Sequence, residues 1–261
     1  MGFNQHHMLC FLFTFLLLCY CPNHAYCFTI NRSYYELKGD IVWEVPTNEK
    51  VAAITFDDGP HPIYTPEILD ILKKYHAKAT FFLIGNRIEQ YPYLVQREVN
   101  EGHELGNHTY SHIYLNQMPY FKFLEEANRT ENLIKLYQHP QIKLFRPPGG
   151  ALNTDIIDTA WIENFEIILW SWDQDPKDWA SPGTDRIVSH ILNHIHNGSI
   201  ILLHDSGGDR SQTVHALNKV IPKLQEKGYR LVTVSQLLKM NPRYASLFNF
   251  GIKNIMPSMK E

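Results

Sequence analysis

Two adjacent aspartates sit in the segment Thr55-Phe56-Asp57-Asp58-Gly59-Pro60. Neighbouring residues on a strand point to opposite faces, but at a strand end a turn at Gly59-Pro60 lets both carboxylates face one rim. Side by side they repel unless a cation lies between or beside them. One can then ligate a metal while the other stays free as a base. Taken alone, a solvated turn accounts for the same residues, because Asp, Gly and Pro are turn formers. The run His108-Thr109-Tyr110-Ser111-His112 spaces two imidazoles four residues apart; on a helix they share a face and converge on one ion. The same spacing at His190 and His194 lies beside the apolar stripe Ile187, Ile191 and Ile195 and reads as a solvated helix face. Arg146-Pro147-Pro148-Gly149-Gly150 joins chain-fixing prolines and permissive glycines to a guanidinium that can hold a carboxylate. From Trp170 to Trp179 the chain places three Trp and three Asp in ten residues. Indole rings suit the apolar faces of sugars, and an Asp can orient a histidine. Trp170 itself reads as core. Ile201-Leu202-Leu203-His204-Asp205 brings a histidine to the point where an apolar strand meets the rim, a place for general acid–base work.

Each group is weak evidence alone; their positions make them strong together. From Val51 onward short apolar runs read as buried parallel strands at Val51–Phe56, Thr80–Ile84, His103–Gly106, Lys143–Phe145, Glu166–Trp170, Ser199–Leu203 and Arg230–Val234. Segments of helical spacing separate them at Pro66–Tyr75, Tyr120–Tyr137, Asp185–Ile195 and Val214–Lys227, with Gly228 placed to end the last. The alternation predicts a single-domain α/β fold with a parallel sheet; about seven units suggest a closed or nearly closed barrel, with an open doubly wound sheet as the alternative. The five polar groups then follow five strands on one side of the sheet, where barrel active sites form. Asp58, His108 and His112 make three ligands for zinc, cobalt or iron with open positions for water and substrate. A spare carboxylate, a histidine, an arginine and a tryptophan beside them complete an inventory for metal-assisted hydrolysis.

The chain has 261 residues, 44% hydrophobic and 20% charged, which excludes disordered and collagen-like classes. With 24 Lys+Arg against 27 Asp+Glu there is no basic excess to advertise nucleic acid. All four cysteines fall in residues 1–27, and Met8–Cys21 is almost wholly apolar. That length fits a signal-peptide core and is short for a membrane span. Residues 1–27 therefore read as a secretory signal or, uncleaved, as an N-terminal anchor. Residues 28–48 read as a linker or edge extension, 49–240 as the catalytic domain and 241–261 as a tail. Asn-x-Ser/Thr triplets at Asn31, Asn107, Asn128 and Asn197 carry little weight, and a glycan on Asn107 would obstruct the site.

TFDDG, HTYSH, RPPGG, DPKDW and LLHD resemble, in order and approximate spacing, the five motifs of the polysaccharide deacetylases, carbohydrate esterase family 4 (the nodulation-type chitooligosaccharide deacetylase domain). The resemblance spans roughly residues 49 to 240 and implies a distorted (β/α) barrel of about seven parallel strands in a single α/β domain. It implies removal of N-acetyl groups, less often O-acetyl groups, from a glycan polymer such as peptidoglycan (GlcNAc or MurNAc) or a chitin-like oligosaccharide, outside the cell. It implies one divalent metal, most often zinc, on Asp58, His108 and His112, with a metal-bound water as nucleophile. It makes Asp57 the general base and His204 the general acid. Arg146 positions Asp57, and Asp178 orients His204. Trp179 and Leu202 line the acetyl pocket, and the Gly149 N–H stabilises the oxyanion. At Gly149 the chain departs from the family, which commonly has an aromatic residue there; the backbone donor survives and a flanking ring is lost. The competing readings are an acetyl-xylan-type O-deacetylase, an inactive glycan-binding relative, and an iron oxygenase on two His and one carboxylate. The strand–helix alternation and the extra Asp57 and His204 speak against the oxygenase.

Overall fold

The computed structural model describes residues 31–115 and 119–249. The strands are β1 (Ile41–Val42), β2 (Val51–Asp57), β3 (Ala79–Leu83), β4 (Glu104–Asn107), β5 (Lys143–Phe145), β6 (Phe165–Ile168), β7 (Ser199–His204) and β8 (Arg230–Leu231). The helices are α1 (Arg32–Lys38), α2 (Tyr64–Lys74), α3 (Gly85–Gln90), α4 (Pro92–Asn100), α5 (Tyr120–Ile134), α6 (Thr154–Ile162), α7 (Thr184–His194), α8 (Ser211–Glu226), α9 (Val234–Leu238) and α10 (Pro242–Asn249). All residues of β2 and β3 are buried, as parallel strands covered on both faces must be. The pairings are parallel in the order β1-β6-β5-β4-β3-β2-β7, with β8 against the start of β2. Isolated backbone bonds, not a ladder, join the ends of this path. Ser171 N–H donates to Ile200 O, Leu202 N–H to Gln174 O and Val45 N–H to Gly198 O, each at 3.0 Å. The result is a single-domain, distorted (β/α) barrel with flanking helices.

Side chains alternate between the barrel interior and the outer layers. On β2, Val51 and Ala53 pack inside with Phe82, Ile168 and Ile200. Ala52, Ile54 and Phe56 pack outward against α2, α7 and α8. A third cluster joins Phe123 and Ala127 of α5 to Phe145, Phe165 and Ile156. The aromatic trio Phe123, Phe145 and Phe165 meets edge to face.

The structure adds to the sequence reading in four places. In the segment before residue 49, Asn31 caps α1 by accepting from Tyr34 N–H, and β1 pairs with β6. Helices α3, α4, α6 and α9 span too few turns for their period to show. The last expected strand stops at Leu231 because Thr233 and Gln236 form a reciprocal capping box that starts α9. Beyond Asn241, α10 forms and buries Tyr244 against the interior cluster. Among the described residues, no helix is long and apolar enough to cross a membrane. The segment read as signal or anchor, with its four cysteines, lies outside the described residues.

Candidate active site

The inward parity that fills the barrel runs out of its carboxyl end as polar residues. On β2 it passes through Val51, Ala53 and Thr55 to Asp57. On β4 it leads to His108, on β5 from Leu144 to Arg146, and on β7 from Ile200 through Leu202 to His204. Strand register sets Asp57 opposite His204 and Thr55 opposite Leu202.

Arg146 is fully buried and spends its donors on this rim. Nη1 donates to Asp57 Oδ1 and Thr55 Oγ1, both at 2.7 Å. Nε donates to Ile168 O at 3.0 Å and Nη2 to Leu169 O at 2.9 Å. The guanidinium also lies 4.0 Å over the Phe82 ring. Burial lowers its pKa, and Asp57 opposes that shift by charge and hydrogen bonding; an arginine stays charged in either case. With Oδ1 held, Asp57 Oδ2 is left 3.8 Å from His108 Nε2.

His108 Nδ1 lies 2.7 Å from Arg146 O. A carbonyl only accepts, so Nδ1 carries the hydrogen and Nε2 keeps its lone pair for a metal. Asp58 would point away from Asp57 in a continuing strand. Its φ of 75° turns it back to the same rim, a left-handed conformation that costs a non-glycine residue energy and clusters at functional sites. Asp58 Oδ1 then lies 3.1 Å from His112 Nε2 and 3.5 Å from His108 Nε2. One ligand atom from each of the three residues falls within 4.8 Å of the others. Burial opposes the charge on Asp58, but the His108 and His112 imidazoles beside it outweigh that and hold the carboxyl well below the ordinary carboxylate range. The Asp58 carboxylate beside it raises His112 despite burial. An acidic oxygen converging with two imidazole nitrogens is a donor set suited to a borderline-soft divalent ion.

The histidine pair reaches this arrangement without a helix. Residues 108–114 form an irregular loop with positive φ at Thr109 and His112, so the i,i+4 helical face does not apply. The loop is held from below by Glu126 of α5, which is buried. Its Oε2 accepts from Tyr110 N–H at 3.0 Å and Ser111 N–H at 2.7 Å, and Ser111 Oγ donates to it as well. Only a charged residue on the otherwise apolar face of α5 hinted at this in the sequence.

Across the rim, His204 Nδ1 donates to Asp178 Oδ1 at 2.7 Å. Asp178 is itself fixed by His204 N–H at 2.9 Å and Thr213 Oγ1 at 2.8 Å, both to Oδ2. Burial alone would lower the pKa of His204. The hydrogen bond to Asp178, then the charges of Asp178, Asp57 and Asp58, outweigh it and push it up to about 9.

The chain also has relatives among known proteins. Residues 44–162 match the family described as polysaccharide deacetylase. A peptidoglycan-N-acetylglucosamine deacetylase of Bacillus cereus is 49% identical over 208 residues, covering 80% of this chain and 97% of that protein. The chain belongs to the polysaccharide deacetylase family. A chitooligosaccharide deacetylase of Bradyrhizobium sp. (strain ANU 289) is 36% identical, over 80% of this polysaccharide deacetylase chain and 96% of that relative. The crystal structure of the Bc1960 peptidoglycan N-acetylglucosamine deacetylase superposes with a TM-score of 0.74 at 38% identity, over 78% of this chain and 94% of that one.

The other residues singled out in this polysaccharide deacetylase take varied places. Leu202 is buried one inward step below His204, while Trp179 is 53% exposed and Trp172 83% exposed. Trp170 packs partly buried against the core. Gly149 has a φ of 62° in a single 3-10 turn after β5. Asn107 is fully buried and holds the loop, with Nδ2 on Ala127 O and Oδ1 accepting from Thr109 N–H; a glycan has no room there. His190 and His194 lie on α7 away from the ligand triangle. Sequence reasoning passed over Thr55, Thr213, Glu126 and Tyr114. For Thr55 the signal was available, since it shares the inward parity of Asp57.

Two expectations follow locally. Replacing Glu126 with Ala frees the loop that carries His112 and is expected to weaken metal affinity about 10–100-fold in a chelator competition assay. Glu126→Gln, which keeps one acceptor, should retain most of it. The second concerns pH. A folded-state pKa of about 9 lies above the ordinary 6.5 of histidine. The His204–Asp178 pair therefore stabilises the fold fully below about 6.5, and that contribution is lost as pH rises through about 9. In metal-free protein, the melting temperature should fall across that interval more steeply in the native chain than in Asp178→Asn.

Proposed function

We propose that the chain is a metal-dependent N-deacetylase of a GlcNAc-type glycan, peptidoglycan first and chitin-like oligosaccharides second. One observation carries the reading: a carboxylate held by a buried arginine and an imidazole held by a buried carboxylate face each other across paired strands, beside an Asp–His–His triangle. The names of the relatives support the choice of polymer. Asp58, His108 and His112 would hold the metal, with zinc as the first choice. When bound, a divalent ion supplies Lewis acidity and brings the pKa of a water ligand down to about 7.

The chain's own residues do the rest. Asp57, with Oδ1 occupied by Arg146, takes a proton through Oδ2 as the water oxygen adds to the amide carbonyl. The Gly149 N–H is placed in the role of an oxyanion donor, a contribution typically worth about 3–4 kcal/mol. Leu202 and Trp179 enclose the acetyl methyl. His204, its Nδ1 held by Asp178, delivers the Nε2 proton to the amine as the C–N bond breaks. The products are acetate and the free amino sugar. Export through residues 1–27, cleaved or kept as an anchor, would bring the enzyme to an extracellular polymer.

The test is acetate release by the purified protein from peptidoglycan, N-acetyl chitooligosaccharides and acetylated xylan, each with zinc or cobalt and with a chelator. Chelator-sensitive acetate from a GlcNAc polymer is expected. Release from xylan alone would make it an O-deacetylase, and none from any substrate despite bound metal would overturn the reading.

A further inference from the structure

Position 149 presents no side chain to the cleft, yet the space over it is filled. A Cβ built on Gly149 would lie 2.7 Å from Tyr114 Cε1, 3.5 Å from Cδ1 and 3.7 Å from Cζ. The Tyr114 ring thus lies against the Gly149 backbone, closer than any side chain at that position would allow. Its other neighbour is a metal-ligand candidate: the ring stands 6.0 Å from the His112 ring, edge-on at 73°. Between these two contacts Tyr114 remains 60% exposed. A large ring bedded on one edge and open on the other, beside the metal-ligand candidates at the barrel rim, has the form of a stacking platform. Trp179 and Trp172, from the loop after β6, are exposed on the same end of the barrel.

We propose that Tyr114 is a substrate-positioning residue whose ring stacks on a pyranose neighbouring the one that loses its acetyl group, and that Gly149 is the residue that makes room for it. The loop after β4 thereby supplies, next to His112, an aromatic wall that the loop after β5 does not. The proposal rests on the deacetylase reading for the identity of the sugar. Tyr114 has no part in proton transfer, so its loss acts on sugar binding and spares the chemical step.

The test measures both binding and turnover. Binding of N-acetyl chitooligosaccharides is followed by calorimetry in metal-loaded Asp57→Asn protein, with and without Tyr114→Ala or Tyr114→Phe. Turnover is followed as acetate release in the otherwise native chain, with metal content recorded for each variant. Tyr114→Ala is expected to raise Kd and KM about ten-fold, with kcat and metal content nearly unchanged. Tyr114→Phe keeps the ring and should stay within about two-fold.

An unchanged Kd in Tyr114→Ala overturns the proposal. So does a loss of metal, which would make Tyr114 a prop for His112, and so does a Phe variant as weak as Ala. Binding that depends on the ring without acetate release would sink the deacetylase reading and leave the platform standing. A chain that neither binds nor cleaves these oligosaccharides removes both.

Discussion

Asp57→Asn is expected to lower kcat for acetate release by about 10³-fold, within the usual range for loss of a general base, while KM and metal content stay close to those of the native chain. The substitution is nearly isosteric. Asn keeps an oxygen to accept from Arg146 Nη1, now 2.7 Å from Oδ1, so the rim should hold its shape. What disappears is the second carboxylate oxygen, Oδ2, which lies 3.8 Å from His108 Nε2 and is free to take a proton. Steady-state kinetics with metal analysis separates the outcomes. Retained activity would move the base elsewhere. Retained structure with lost metal would make Asp57 a ligand and unseat Asp58 as the carboxylate of the triangle.

Arg146→Met should have the largest effect on stability. The side chain is fully buried and serves four acceptors: Asp57, Thr55 and the carbonyls of Ile168 and Leu169. Methionine fills much of the volume over Phe82 but donates nothing. It leaves the carboxylate of Asp57 buried without its positive partner, a situation that costs about 3–5 kcal/mol. For a domain of this size that is roughly 6–20 °C in melting temperature. At a temperature where the variant is folded, activity should also fall at least about 100-fold, because the oxygen left free on Asp57 is no longer set by a fixed bond to its neighbour. Arg146→Lys should not rescue it, since one ammonium cannot reproduce the planar fork that reaches Asp57, Thr55 and two carbonyls together. A stable, active methionine variant would show that Asp57 is positioned by the strand alone.

Glu126 and Tyr114 mark where reading from sequence stopped. Both act through contacts far apart in the chain: Glu126 on the loop sixteen residues earlier, Tyr114 against a glycine on the next loop. Their residue types do not announce those contacts. A buried Glu on a helix and an exposed Tyr in a loop each have many ordinary explanations. The short helices escaped for a related reason. Their stability comes from packing and caps, as with Thr233 and Gln236, and two turns are too few to show a period.

The sequence by itself determined the strands from β2 onward, their parallel stacking and the inward placement of four site residues. Strand parity sets which residues of β2, β4, β5 and β7 enter the barrel, and the last inward steps are Asp57, His108, Arg146 and His204. Their convergence follows from parity and strand order, both local properties of the chain. The other partners were named from motif spacing or resemblance, but how they reach the rim was decided only by tertiary structure. Asp58 has the wrong parity and joins the rim through a left-handed backbone. His112 comes from an irregular loop pinned by Glu126. Asp178 reaches His204 from a 3-10 turn fixed by Thr213. Loop residues obey no period; where they point depends on which distant groups satisfy their polar atoms, and that is known only once the chain has folded.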